Sequence, residues 1–194
     1  MAGQTLQIAT SNDHAIQKDD ASGFFTEPGG GVGLRATSDA SRYSAGMRFP
    51  NILISQGQTV LTATLRIYVF NHDIDDADLF IHCEDVDNAA NFVDTADVVG
   101  RTRTTAKTTW IADDLILEDT PAFVTSADFT SAVQEVIDRA GWAKGNALVV
   151  IMRGDSAGGK DVRFRSYDIT PSQSPTILLT WSAHPKRSHA KVVA

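Results

Sequence analysis

Residues 154–159, Gly-Asp-Ser-Ala-Gly-Gly, place Ser156 in a G-x-S-x-G pattern, the spacing at which a serine hydroxyl can act as a nucleophile. That chemistry needs the serine on a sharp turn from a strand into a helix, with a histidine in reach as base. Residues 162–167 instead alternate with period two, so the chain is expected to run from one strand into another. A hairpin tip then accounts for the glycines. The same loop fits GxxxxGK through Gly154, Gly159 and Lys160. Asp161 stands where a phosphate-binding loop needs Ser or Thr for magnesium, and no helix follows to offer its amides. Neither catalysis nor nucleotide binding is expected there.

Carboxylates are the next candidates. Asp73, Asp75, Asp76 and Asp78 crowd one turn, and Glu84, Asp85 and Asp87 follow the next strand. Calcium takes roughly six to eight oxygen ligands. Asp73, Asp75 and Glu84 fall at the first, third and last positions of an EF-hand loop. Ala77 and Asp78, however, stand where that loop needs a ligand and a glycine, and a strand runs through it. What remains is a calcium candidate at Asp85 and Asp87, set against a solvated acidic loop; no other cofactor is expected. The five histidines show no metal spacing: His14 and His72 read as turn residues, His184 and His189 as tail residues, and His82 faces away from Cys83. The single Cys83 excludes an internal disulfide and shares a strand face with Leu79 and Ile81, as a buried inert thiol would. Sugar binding would need surface aromatics, but Trp110, Trp142 and Trp181 read as core. Phe24 and Phe25 lie in a polar stretch and are candidates to anchor a neighbouring subunit, the preferred reading, or a ligand.

The elements that must position these groups are mostly strands. Residues 60–70 alternate cleanly, with Leu61, Ala63, Leu65, Ile67 and Val69 on one face and Thr62, Thr64, Arg66 and Tyr68 on the other. Further strands are expected at 5–8, 15–17, 46–51, 78–84, 101–110, 162–168 and 176–181, with residues 13–33 and 112–125 otherwise irregular. One helical turn is expected at 88–92. A helix is expected at about 128–140, capped by Asp128 and ended at Gly141, with Phe129, Val133, Val136, Ile137 and Ala140 as its apolar stripe. After the turn at Lys144-Gly145-Asn146, residues 147–152 are apolar on both faces, which predicts a strand covered on both sides. Many short strands and one short helix predict an all-β, antiparallel, jelly-roll-like β-sandwich. It is expected to be a single domain, 1–182, followed by a basic tail, 183–194.

Composition narrows the function classes. The 194 residues carry a net charge of −7, against a nucleic-acid partner, and no apolar run is long enough to span a membrane. No basic start followed by an apolar core opens the chain, so no secretory signal is expected. The tail carries Lys186, Arg187 and Lys191 with no acid, leaving 14 basic against 24 acidic residues in the body. A basic arm of that kind can lie on the acidic body of a second copy.

Three blocks carry a family resemblance. The first joins Met47-Arg48-Phe49 to Gly57-Gln58-Thr59-Val60 and Ala63-Thr64-Leu65. The second runs from Asp87-Asn88-Ala89-Ala90-Asn91-Phe92 through Arg101-Thr102-Arg103-Thr104-Thr105 to Trp110. The third links Val133-Gln134-Glu135-Val136-Ile137, Gly141-Trp142, Gly145-Asn146-Ala147-Leu148, Arg165-Ser166-Tyr167-Asp168 and Pro175. Over residues 46–181 the chain resembles the DNRLRE-type β-sandwich modules of large secreted bacterial proteins, and is similar to carbohydrate-binding module family 96. The resemblance implies a sandwich that binds or decorates and does not catalyse. With no secretory signal expected, a stand-alone copy fits a phage virion protein, a capsid decoration or tail component. It would be made in the host cytoplasm and assembled as a homo-oligomer with other virion proteins. The alternative is an extracellular carbohydrate-binding or adhesion module that meets a cell-surface glycan.

Overall fold

A computed structural model describes residues 1–18, 24–25, 34–37, 43–72, 78–92, 98–111, 121–154 and 161–185. The strands are β1 (Ala2–Gln7), β2 (His14–Lys18), β3 (Phe24–Phe25), β4 (Leu34–Thr37), β5 (Tyr43–Phe49), β6 (Gln58–His72), β7 (Asp78–Cys83), β8 (Thr108–Ile111), β9 (Ala122–Thr125), β10 (Leu148–Gly154), β11 (Asp161–Phe164) and β12 (Thr176–Pro185). The α-helix is α1 (Thr130–Ile137). Two antiparallel sheets result. One, called here sheet A, holds β1, β12, β6, β11, β4 and β9; the other, sheet B, runs β3-β2-β5-β10-β7-β8. The inner faces of both sheets contribute to one apolar core, including Leu65, Ile67, Ile177 and Leu179 from sheet A and Met47, Phe49, Ile81 and Val150 from sheet B. The fold is an all-β sandwich with one short α-helix among the described residues.

β6 is the spine of sheet A. β9 takes one of its edges over Arg66–Val69. On the other edge β12 pairs with residues 58–66 and β11 with residues 69–72, so β11 and β12 lie end to end, interrupted by the loop 165–175. Ala63, Leu65, Ile67 and Val69 are buried, as their alternation predicts. Leu61 departs from that pattern and is 42% exposed. The register against β12 shifts between Thr62 and Val60, so Leu61 is the extra residue of a β-bulge and leaves the inner face.

β10 is the centre of sheet B, and both of its faces are covered. Leu148, Val150 and Met152 point into the main core. Val149 and Ile151 point outward into a second cluster with Ala15, Ala89, Phe92 and Val98. The cover on that outer face is the segment after β7, which bends and does not coil. Its amides go elsewhere: Ala89 N–H donates to Ala147 O at 3.1 Å and Phe92 N–H to Asn12 O at 2.8 Å. The helical turn expected at 88–92 is therefore absent. Gly46, on the outer face of β5, leaves room for this cover; a Cβ there would lie 2.5 Å from Phe92 Cζ.

α1 plugs one end of the sandwich. Phe129, Ala132, Val133, Val136 and Ile137 are buried. Gln134 accepts from Val60 N–H at 2.8 Å and donates to Gln58 O at 3.0 Å, holding the start of β6. Glu135 accepts from the Thr105 and Ala106 amides at 2.8 Å each, holding the segment before β8. Asp128 accepts from Thr130 N–H at 2.8 Å, but the N-cap position is Phe129, without a side-chain cap bond, so the cap expected at Asp128 is corrected by one residue. The helix is shorter than expected, ending at Ile137, so Ala140 falls outside the stripe and is exposed. Gly141 does not end it through a left-handed backbone. Positive φ among the described glycines belongs to Gly57, in the turn before β6, and Gly145, in the turn before β10.

Other boundaries are corrected. Residues 101–107 are irregular, because Thr104 turns its hydroxyl onto Cys83 N–H at 3.1 Å, and only Thr108–Ile111 is strand. Pro121 breaks the chain, but Ala122–Thr125 then pairs with β6. The 162–168 strand stops at Phe164, after a register shift. The last strand runs on to Pro185, opposite Gln58, so the sheet takes in the first residues of the expected tail. Within the expected 13–33 loop, His14–Lys18 is a full strand and Phe24–Phe25 a short one.

Candidate functional site

Polar side chains gather in two places: in staples under and around the outer cover of sheet B, and on the outer face of sheet A.

The staples are ion pairs and hydrogen bonds between distant segments. Arg48, on β5, reaches Asp13 Oδ1 at 2.7 Å and Ala89 O at 2.9 Å. Arg101 meets Glu84 at 2.6 Å, with both side chains 10% exposed. Arg139, just beyond α1, donates through Nε to Asp87 Oδ1 at 2.7 Å and through a terminal nitrogen to Asp85 Oδ1 at 2.5 Å. The structure thus brings the calcium candidates Asp85 and Asp87 together, but around a guanidinium. Those hydrogen bonds, Asp87 first, push the Arg139 pKa further up. A calcium ion at these carboxylates would have to displace a cation already bound to both. Among the described residues no group of His, Cys, Asp and Glu has metal-holding geometry.

One staple has the residue types of a catalytic triad. Ser11 donates to Asp168 Oδ1, and Asp168 Oδ2 lies 3.2 Å from His14 Nε2. The His14 contact is close in distance but outside hydrogen-bond geometry, so it is electrostatic. The order is Ser–Asp–His, with the carboxylate between the other two. A serine nucleophile needs its hydroxyl on the imidazole, with the acid behind it. His14 is 1% exposed, and burial holds it below its ordinary pKa, against the pull of the Asp168 and Asp13 charges. The expectation of a turn residue is corrected: His14 opens β2 opposite Met47, because the short 3-10 turn at Ser11–Asp13 folds the preceding residues back beneath it.

The outer face of sheet A is different in kind. On β6, Thr62, Thr64, Arg66, Tyr68 and Phe70 alternate with the core residues. Phe123, across from Tyr68 on β9, stacks on it edge to face at 5.0 Å. Arg66 lies over Phe123 at 4.0 Å, and Arg165 over Phe70 at 4.3 Å. Arg66 is exposed and Phe123 is 38% exposed. This aromatic and guanidinium strip was not singled out as a site from sequence. The polar half of the β6 alternation held the signal, in Arg66 and Tyr68.

The three tryptophans are core residues, 3–6% exposed, with Trp142 Nε1 donating to Ile54 O at 3.0 Å. Cys83 is buried beside Leu79 and Ile81, and burial raises its thiol pKa. Phe24 and Phe25 pair by backbone with Gln17 and Ile16 at an edge of sheet B. Ser156, Lys160, Asp73, Asp75, Asp76, Lys186, Arg187 and Lys191 lie outside the described residues.

No family model matches the chain, and no curated protein matches it. The likeness to DNRLRE-type modules therefore stands on its quoted residues alone.

Proposed function

We propose that the chain is a non-enzymatic structural protein of a virion, a capsid decoration or tail component that assembles with copies of itself and with other virion proteins. The observation that carries this reading is a division of labour among its polar groups. The described ion pairs, buried or partly exposed, staple one segment of the fold to another, while aromatic rings and guanidinium groups are left facing outward on sheet A. A rigid body with a prepared outer face suits docking, and the virion setting adds the sequence resemblance by analogy. Light scattering on the eluting protein across a hundredfold concentration range tests it. An oligomer of defined mass is expected; a monomer throughout overturns it.

A second reading, a carbohydrate-binding or adhesion module, is favoured by the Tyr68–Phe123 pair, since aromatic faces on a flat sheet can stack on sugar rings. A glycan array separates the two. Binding that is lost in Phe123→Ser supports the second reading, and no binding removes it.

A further inference from the structure

The edges of the two sheets are not equally protected. Natural edge strands are kept short, charged, bulged or interrupted by proline, because an open row of amides and carbonyls pairs with other chains. β3 has two residues, β4 has four and contains Arg35, β8 has four and follows Lys107, and β9 has four and follows Pro121. β1 is the exception. Its six residues, Ala-Gly-Gln-Thr-Leu-Gln, hold no charge and no proline, and they pair with β12 in one unbroken register.

The direction of the free edge follows from that register. Ile8 N–H donates to Pro175 O at 3.0 Å, one step beyond Gln7 opposite Thr176. Antiparallel bonding alternates, so Ala2, Gln4 and Leu6 bond toward β12. The amides and carbonyls of Gly3, Thr5 and Gln7 point away from it, and no described residue pairs with them by backbone.

Two exposed apolar side chains, Met1 and Leu53, lie beside β1, and a third, Leu61, lies two strands inward. Gln4, in mid-strand, clasps Asn51 O and Leu53 N–H at 2.9 Å each, and this holds Leu53 beside β1 with 44% of its surface exposed. Leu61 bulges from β6 opposite Thr180 and Trp181, which on their other side face Gly3 and Ala2. Met1, 87% exposed, precedes Ala2.

We infer that the free edge of β1 is the contact between two copies of this chain, paired antiparallel about a two-fold axis at Thr5, with Gly3 opposite Gln7 of the second copy. Self-pairing is what these observations fit. An uncharged strand meets itself without like-charge repulsion, although each chain carries −7 overall. The axis falls one residue from Gln4, so the two exposed Leu53 side chains lie near it and cover one another.

This inference rests on the assembly reading, and the experiment separates them. Thr5→Pro removes one outward amide and breaks no bond to β12. Leu53→Lys sets two charges near the axis on a side chain that is already exposed. Each variant is expected to keep the wild-type near-ultraviolet spectrum and raise the dimer dissociation constant at least about tenfold. Thr5→Cys is expected to give a covalent dimer on oxidation, because a bonded antiparallel pair brings the Cα atoms to within about 6 Å. The other thiol, Cys83, is buried. If the wild type is oligomeric and its mass and affinity are unmoved in all three variants, the edge contact is overturned and the assembly reading stands. If the wild type is monomeric throughout, both fall.

Discussion

Gly141 lies directly against the carboxylate of Asp87, so close that a Cβ at position 141 would overlap it. The same carboxylate accepts from Arg139 Nε, two residues back along the turn. The glycine therefore leaves room for the Asp87 carboxylate in its pairing with Arg139, and a methyl group would push that carboxylate aside. Gly141→Ala is expected to destabilise the fold by about 1 kcal/mol, the low end of the overpacking range, because the half-exposed carboxylate can move. Urea titration should show a lower midpoint with the slope unchanged. In an Asp87→Ala background the same substitution should cost less, since the clashing group is gone.

Arg139 supplies the positive charge between Asp85 and Asp87. Adding calcium or a chelator is accordingly expected to leave the melting temperature of the wild type unchanged. Arg139→Met leaves two facing carboxylates without their cation and should lower the melting temperature, most clearly at low salt, where the repulsion is least screened. A calcium-dependent rise of the wild-type melting temperature would contradict the pairing.

On the outer side of sheet B, Gly46 lies against the Phe92 ring, and a Cβ there would stand 2.5 Å from Phe92 Cζ. Phe92 is fully buried, so its ring has nowhere to yield. Gly46→Ala should destabilise by about 1–3 kcal/mol and Phe92→Ala by about 3–5 kcal/mol. The double variant should be more stable than the sum implies, because the new methyl group enters the space the ring vacated. Equilibrium denaturation of the three variants measures that coupling.

Stability should also depend on pH through His14 and His82. Burial is the largest cause in both and lowers both from 6.5; Asp168 and Asp13 oppose it at His14, while Arg103, Lys107 and Arg153 add to it at His82. A base whose pKa falls on folding binds more protons when unfolded, so stability rises with pH across the shifted window. The contribution is complete above about pH 6.5 and is lost as the pH falls toward the folded values. Urea midpoints measured down from about pH 7.5 should decline below about pH 6.5, and less steeply in His14→Gln.

Much of the scaffold was legible because it is local. The two apolar faces of β10 predicted a strand covered on both sides, and the alternation on β6 predicted its core row. Where the reading failed, a distant segment decided. Leu61 left the core because of a register shift against β12, which the alternation of β6 alone does not reveal. Gly141 looked like a helix stop because Asp87, 54 residues earlier, left no mark on its spacing. Residues 88–92 were short enough for a helical turn, but Ala147 and Asn12 took up the amides. The polar clusters were least visible of all. Ser11 and His14 meet Asp168 from the far end of the chain, and no period or motif links them. The outer strip of sheet A was half visible, since alternation placed Arg66 and Tyr68 outside but could not bring Phe123 beside them.

The register of Ala2 opposite Trp181 has a consequence for how the protein is made. β1 leaves the ribosome before every other described strand, and β12, the strand it pairs with, leaves after all of them. From the synthesis of β1 to that of β12 the nascent chain carries an uncharged, pairing-competent strand without its partner, and β6 lacks the neighbour along its N-terminal half. Sheet A can close only after translation has passed residue 185, so the pairing of β1 with β12 is a contact of high sequence separation that forms late. On polysomes carrying many copies, the first strands of neighbouring chains are free to find one another before β12 exists.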